Sequence, residues 1–274
     1  MWHKDGMRVT RRAEFILTAL PSQGEYNSLN DMNRIEEIYD CLLKIHGPQG
    51  WWPLRSLAGT KSFDHRGYSK GRYEHPKTEN QQVEVCVGAL LTQNTAWTNV
   101  EKAMDVLMQN NVLDVSTIAH MNVTELANMI RPAGYFNQKA KKLQLFARHV
   151  LDRGLRSMYH QSIPELRTEL LSLWGIGPET ADSIILYSAH KPIFVIDAYT
   201  RRIFSRLGVC GAECEYDELQ QLFMNNLPAK SALFKEYHAL IVEHAKVCCT
   251  KKNNHCIIHP LFQSEPANSG TAQI

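Results

Sequence analysis

The sequence predicts an all-α fold. Apolar residues recur at helical spacing along most of the chain, and Gly, Pro and Asn punctuate these stretches. Strand-like alternation of apolar and polar residues is nearly absent. With 274 residues there is chain enough for one large domain or two modest ones with real cores. A hydrophobic content of 44% against 21% charged is that of a globular chain and argues against disorder. The formal net charge of +2 neither requires nor excludes nucleic acid, because a local basic face matters more than the total.

The first helix is expected from Ile35, whose stripe continues through Ile38, Tyr39, Leu42 and Leu43. Asp31 suits its cap, and Gly47-Pro48 stops it. Helical patterns follow at 84–109, 123–130, 137–152, 164–173 and 178–189, then at 197–206, 216–225 and 230–246. Residues 55–80 are polar, basic and without helical period, which reads as a solvated insertion loop. The sharper alternative is that Arg66, Lys70 and Arg72, interleaved with Tyr68 and Tyr73, touch a nucleic-acid backbone. The tail 263–274 has the composition of a disordered end. No apolar run approaches the ~18 residues that a membrane span needs. The basic start lacks a secretory core, so the expected location is intracellular.

Between two of these helices stands LWGIGPET, Leu173 to Thr180. Gly175 and Gly177 suit a tight turn, and Pro178 suits the first position of the next helix, where its missing N–H costs nothing. The free N–H groups of that second helix then form an anion site. A bare GxG of this kind is weak evidence, since most instances simply close a helical hairpin.

The flanks change that. LWGIGPETADSIILY followed by VIDAYTRRIFSRLG resembles the helix-hairpin-helix, Gly/Pro-rich loop and aspartate signature of the endonuclease III superfamily of DNA glycosylases. GALLTQNTAWTNVEKAM and RPAGYFNQKAKKL resemble two further segments of that superfamily, in the right order, so the likeness covers residues 84–250. It implies a two-domain helix-hairpin-helix glycosylase fold. Residues 84–191 would form a six-helix barrel ending in the hairpin, and 1–83 plus 192–274 a discontinuous helical domain. It also implies damaged double-stranded DNA as partner and a monomeric enzyme that flips the damaged base out of the stack.

The resemblance assigns roles residue by residue. Gly175, Gly177, Glu179 and Thr180 would grip the DNA backbone, with a monovalent cation at the hairpin, and Gln93 would fill the gap left by the flipped nucleotide. Asp197 matches the catalytic carboxylate, which stabilises positive charge on the sugar and orients water; on residue type alone it would be a helix N-cap. Endonuclease III has a Schiff-base lysine where this chain has Glu179, so a glycosylase without lyase activity is expected. Lys139 and Lys191 do not occupy the matching position. GPQGWWPL and the Trp97 of TQNTAW resemble the 3-methyladenine DNA glycosylase III branch, implying a base pocket of Trp51, Trp52 and Trp97, with Lys246 a weaker match. Indole faces favour a cationic alkylated purine. The alternative substrates are uracil, mismatched thymine or an oxidised pyrimidine, and the alternative class is a non-catalytic lesion-binding module.

Seven cysteines in a chain of this length do not suggest a disulfide scaffold. Many relatives close with C-x6-C-x2-C-x5-C around a [4Fe–4S] cluster. Here Cys249 and Cys256 keep the spacing, but His259 and Glu265 stand in the last two places, so a metal-free remnant with no essential cofactor is expected. Zinc on Cys248, Cys249, Cys256 and His259 is the alternative, weakened because adjacent cysteines rarely face one ion.

Overall fold

The computed structural model describes residues 31–211 and 213–252. The N-terminal residues, Cys256, His259 and the tail expected to be disordered lie outside that range. Twelve helices follow one another among the described residues, with no strand. They are α1 (Asp31–His46), α2 (Glu79–Thr92), α3 (Trp97–Gln109), α4 (Val115–His120), α5 (Val123–Met129), α6 (Phe136–Arg153), α7 (Leu155–His160), α8 (Ile163–Ser172), α9 (Pro178–Ser183), α10 (Ala198–Arg206), α11 (Tyr216–Asn226) and α12 (Ser231–Val247). A π turn, Ile184–Ser188, continues α9.

The chain divides into two compact units. One comprises Met1–Pro48, Ile196–Pro228 and Tyr237–Ile274; the other comprises Gln49–Val195 and Ala229–Glu236. Residues 49–83, grouped with the termini on sequence, fall in the second unit.

In the first unit α1 buries Ile35, Ile38, Cys41, Leu42 and Ile45, the stripe expected from its spacing. An edge-to-face cluster of Phe204, Phe223 and Tyr237 fills that core, and Tyr237 donates through its hydroxyl to the carbonyl of Ile35 at 2.7 Å.

In the second unit α2 is buried from Val83 to Leu91 without a break, so it is enclosed rather than striped. The one charged residue of that buried stretch, Glu84, accepts from the Ser56 hydroxyl at 2.5 Å and the Ser56 amide at 3.3 Å. The expected helix 84–109 is in fact two. Gln93 caps α2, and Asn94 takes a left-handed φ of 51° before α3 begins. The short helices α4 and α7 were not anticipated, because six residues are too few to establish a period.

The insertion is a loop with an exposed polar surface, as expected, but it is anchored to the protein beneath it. Leu54 and Phe63 are buried, and the amide of Leu54 donates to the carbonyl of Gly67 at 2.9 Å. A Cβ on Gly67 would lie 2.3 Å from the Leu54 oxygen, so the two strands of this loop close on each other only because that residue is glycine. Arg66 makes a bidentate pair with Glu101, and Arg55 pairs with Asp105, both on α3. Tyr73 donates to Glu236 at 2.8 Å. Part of the segment's polarity is thus consumed inside the protein and Arg66 is committed to a carboxylate, whereas Lys70 and Arg72 remain exposed.

Candidate active site and nucleic-acid interface

The hairpin is built from its caps inward. Ser162 and Glu165 form a reciprocal capping box at the start of α8, which buries Leu166 and Leu170. After α8 the chain reverses through Gly175 at a φ of 84°, with Ile176 buried beneath the turn. Gly177 caps α9 and Pro178 opens it. Arg167 locks the two helices together by donating to both carboxylate oxygens of the fully buried Asp182, at 2.8 and 3.3 Å. Gly177, Pro178 and Glu179 face solvent, whereas Thr180 is buried.

Gln93 meets this hairpin directly. Its side-chain amide donates to the carbonyl of Gly175 at 2.9 Å and to the Thr180 hydroxyl at 3.0 Å, and its oxygen accepts from Lys142 at 2.5 Å. Two exposed aromatics on the same unit escaped the sequence reading. Tyr135 is 71% exposed at a left-handed φ of 45°, and Trp174, inside the hairpin turn, is 56% exposed with the Lys142 ammonium 6.0 Å from its ring. Neither position carries a local signal beyond the motif that surrounds it.

The three tryptophans picked out by resemblance come together in this unit. Ring centroids of Trp51 and Trp97 are 4.9 Å apart, those of Trp52 and Trp97 5.3 Å, and those of Trp51 and Trp52 5.5 Å. Tyr68 joins at Trp51 and Tyr187 at Trp52. Gly88 of α2 makes room, since a Cβ there would stand 3.1 Å from the Trp52 indole. Trp97 is 9% exposed, and its buried Nε1 donates to no acceptor among the described residues. Such an orphaned donor costs about 1–3 kcal/mol unless a ligand supplies the acceptor.

Lys139 is held in α6 as a buried cation. Its ammonium donates to the carbonyls of Leu91 and Ala133, each at 2.8 Å, and to the Thr95 hydroxyl at 2.6 Å. Burial, with the neighbouring Lys142, pulls its pKa down to about 8.

In the first unit Asp197 caps α10. One carboxylate oxygen accepts from the Thr200 amide at 2.7 Å and from the Thr200 hydroxyl at 2.9 Å. The other lies 3.6 Å from Nε2 of His238, itself buried in α12. Burial pushes the carboxyl's pKa up, but His238 and Thr200 together outweigh it and leave it below the ordinary value. His238 was missed because a histidine in an apolar helix has no sequence signature. Lys246 is exposed on the last turn of α12, in the first unit, whereas the tryptophans belong to the second. Cys249 is fully buried, and its sulfur accepts from Arg206 at 3.1 Å.

Residues 87–229 match the sequence profile of the HhH-GPD superfamily of base excision DNA repair proteins. The chain belongs to that superfamily. It is 41% identical over 227 residues to a protein of Methanocaldococcus jannaschii named as a candidate DNA repair glycosylase, covering 81% of this chain and 92% of the relative. It is 25% identical to endonuclease III of Thermotoga maritima over 68% of this chain and 83% of that one. The structure is similar to the H. pylori 3-methyladenine DNA glycosylase bound to 1,N6-ethenoadenine, with a TM-score of 0.60, 25% identity, and 80% and 98% of the two chains covered. Its fold also matches a non-covalent endonuclease III–DNA complex at a TM-score of 0.61 and 19% identity, covering 85% of this chain and 94% of the other. No helix among the described residues is long and apolar enough to cross a membrane.

Proposed function

We propose that this HhH-GPD DNA repair protein is a monofunctional glycosylase that releases an alkylated purine such as 3-methyladenine from damaged duplex DNA. The observation that carries the reading is the state of Asp197: buried, yet held ionised by Thr200 and His238. An ionised carboxylate of this kind stabilises the positive charge that builds on the deoxyribose as the N-glycosidic bond lengthens. The bonding electrons leave with the base; water adds to C1′ and yields its proton to Asp197 or solvent. The products are free base and an abasic site. A base already cationic departs neutral, so no separate acid is required.

The remaining roles follow from position. Gly175, Gly177, Glu179 and Thr180 would meet the DNA backbone, with Trp174 and Tyr135 as exposed aromatic contacts beside them. Gln93 would exchange its bonds to Gly175 and Thr180 for the orphaned partner base. A monovalent cation at the hairpin would assist the backbone contact, and no step depends on it. Trp51, Trp52 and Trp97 would receive the base. The similarity to the 3-methyladenine glycosylase supports that substrate class. The aromatic faces favour a cationic base by about 0.5–2 kcal/mol per contact. Lys246, exposed on the other unit, has no assigned role in this scheme.

Lyase chemistry needs an accessible amine. Glu179 stands where endonuclease III places its lysine, and Lys139 is fastened to three oxygens. The donor set for a [4Fe–4S] cluster is incomplete, with two cysteines of the four-thiolate pattern, so no step is routed through one.

A lesion panel tests the reading. The full chain should release 3-methyladenine from methylated duplex faster than uracil from a uracil duplex, strand breaks should appear only after alkali, and borohydride should trap no covalent adduct. Trp97→Ala should slow release of the methylated base while abasic-duplex binding persists. Faster uracil or thymine release would overturn the alkylation assignment, and an efficient borohydride adduct would overturn the monofunctional one.

A further inference from the structure

Two histidines and a cysteine meet in the first unit, and none of the three has a part in the proposed reaction. His46 ends α1, His244 lies in the last turn of α12, and Cys248 follows four residues later. The Cys248 amide donates to the carbonyl of His244 at 2.9 Å, so the helical turn persists and places both side chains on one face. Nε2 of His46 and Nδ1 of His244 are 2.9 Å apart, and one donor atom from each of the three residues lies within 4.8 Å of the others.

We propose that His46, His244 and Cys248 bind a zinc-class divalent cation. Bond lengths of about 2.0–2.1 Å to nitrogen and 2.3 Å to sulfur put tetrahedral donors roughly 3.3–3.7 Å apart. The ring nitrogens need only open by a few tenths of an ångström, and the sulfur needs to close by no more than about 1.5 Å. Two imidazoles and a thiolate suit zinc, or cobalt as its probe, rather than magnesium or calcium. Three protein donors leave a fourth position for water.

The surroundings agree with this. His244 is fully buried, while His46 and Cys248 are half-buried, which gives the ion an entry path. The neighbouring Cys249 turns away to accept from Arg206, so the two adjacent cysteines do not compete for one ion. On binding, the ring that now donates to its partner takes its other tautomer, and Cys248 gives its thiol proton to solvent. Each zinc ion should therefore release a proton. The bound ion would tie the end of α1 to the end of α12, segments 198 residues apart in the chain.

The test uses the full chain, stripped with chelator and titrated with zinc or cobalt. One equivalent should bind, the cobalt form should show tetrahedral and thiolate charge-transfer absorption, and the melting temperature should rise. His46→Gln and Cys248→Ser should each weaken binding by about tenfold or more, whereas Cys249→Ser combined with Cys256→Ser should not. A readout that needs no variant is alkylation: zinc should protect Cys248 in the unaltered chain, and should leave Cys210 and Cys214 unprotected. Absence of binding, retention of affinity in His46→Gln, or transfer of the dependence to Cys256 would each overturn the site.

Discussion

Lys139 and Asp197 are both buried charges, and they are held in opposite ways. The lysine ammonium has three hydrogens and three oxygen partners, so its bonding capacity is filled. The aspartate spends one oxygen on Thr200 and leaves the other facing His238 at 3.6 Å, longer than a hydrogen bond. A saturated charge is a structural fastener, here joining the end of α2 to the loop before α6. A charge with capacity left over is able to act on something else. Burial alone does not separate the two, since both are almost inaccessible.

The largest effect should come from breaking the unsaturated charge. Asp197→Asn keeps the side-chain oxygen that caps α10, so folding should be preserved. Base release should fall by roughly a hundredfold to a thousandfold in single-turnover assays, while lesion-duplex binding is not weakened. Retained turnover would mean that Asp197 is only a cap.

Breaking the saturated charge should act on stability instead. Lys139→Met removes the three bonds of the ammonium, although the Ala133 carbonyl keeps the Thr95 hydroxyl as a donor, at a cost of roughly 2–4 kcal/mol, read by denaturant unfolding. Turnover per folded molecule should stay within about threefold of the parent, because no bond of Lys139 reaches Asp197. Unchanged stability with lost turnover would reverse the assignment of the two residues.

How much of this was legible in the sequence follows the same division. The order of the long helices, the hairpin and Asp197 could be read because period, glycine placement and motif are local. The gathering of Trp51, Trp52 and Trp97 was readable only through resemblance, since 45 residues separate Trp52 from Trp97. The insertion could be read as a loop but its anchorage could not, because Arg66 and Arg55 look solvent-seeking until Glu101 and Asp105 are seen opposite them. The split of 84–109 was missed because an enclosed helix such as α2 shows no stripe to be interrupted at Gln93. His238 and the His46–His244–Cys248 cluster depend on contacts between distant segments, which one sequence does not encode as a pattern.

The smallest effect sharpens the comparison most, because it asks what keeps Asp197 ready. His238 lies against the carboxylate oxygen that Thr200 does not use, so under the proposed mechanism it would act as a positioning residue. A group whose pKa is lowered in the folded protein keeps its charge as pH falls below its ordinary value, here 3.8. The acid limb of kcat/KM governed by Asp197 should therefore lie below that pH in the parent. His238→Gln removes the imidazole but keeps a polar side chain, so one influence that lowers the Asp197 pKa is lost, burial regains ground and the pKa should rise. The acid limb should move to higher pH, while the rate at neutral pH, where the carboxylate is ionised in both proteins, should fall by no more than about tenfold. A merely structural histidine would lower the rate equally at every pH and leave the limb where it was. A pH–rate profile of both proteins, taken within the range where helical circular dichroism is intact, separates the two outcomes.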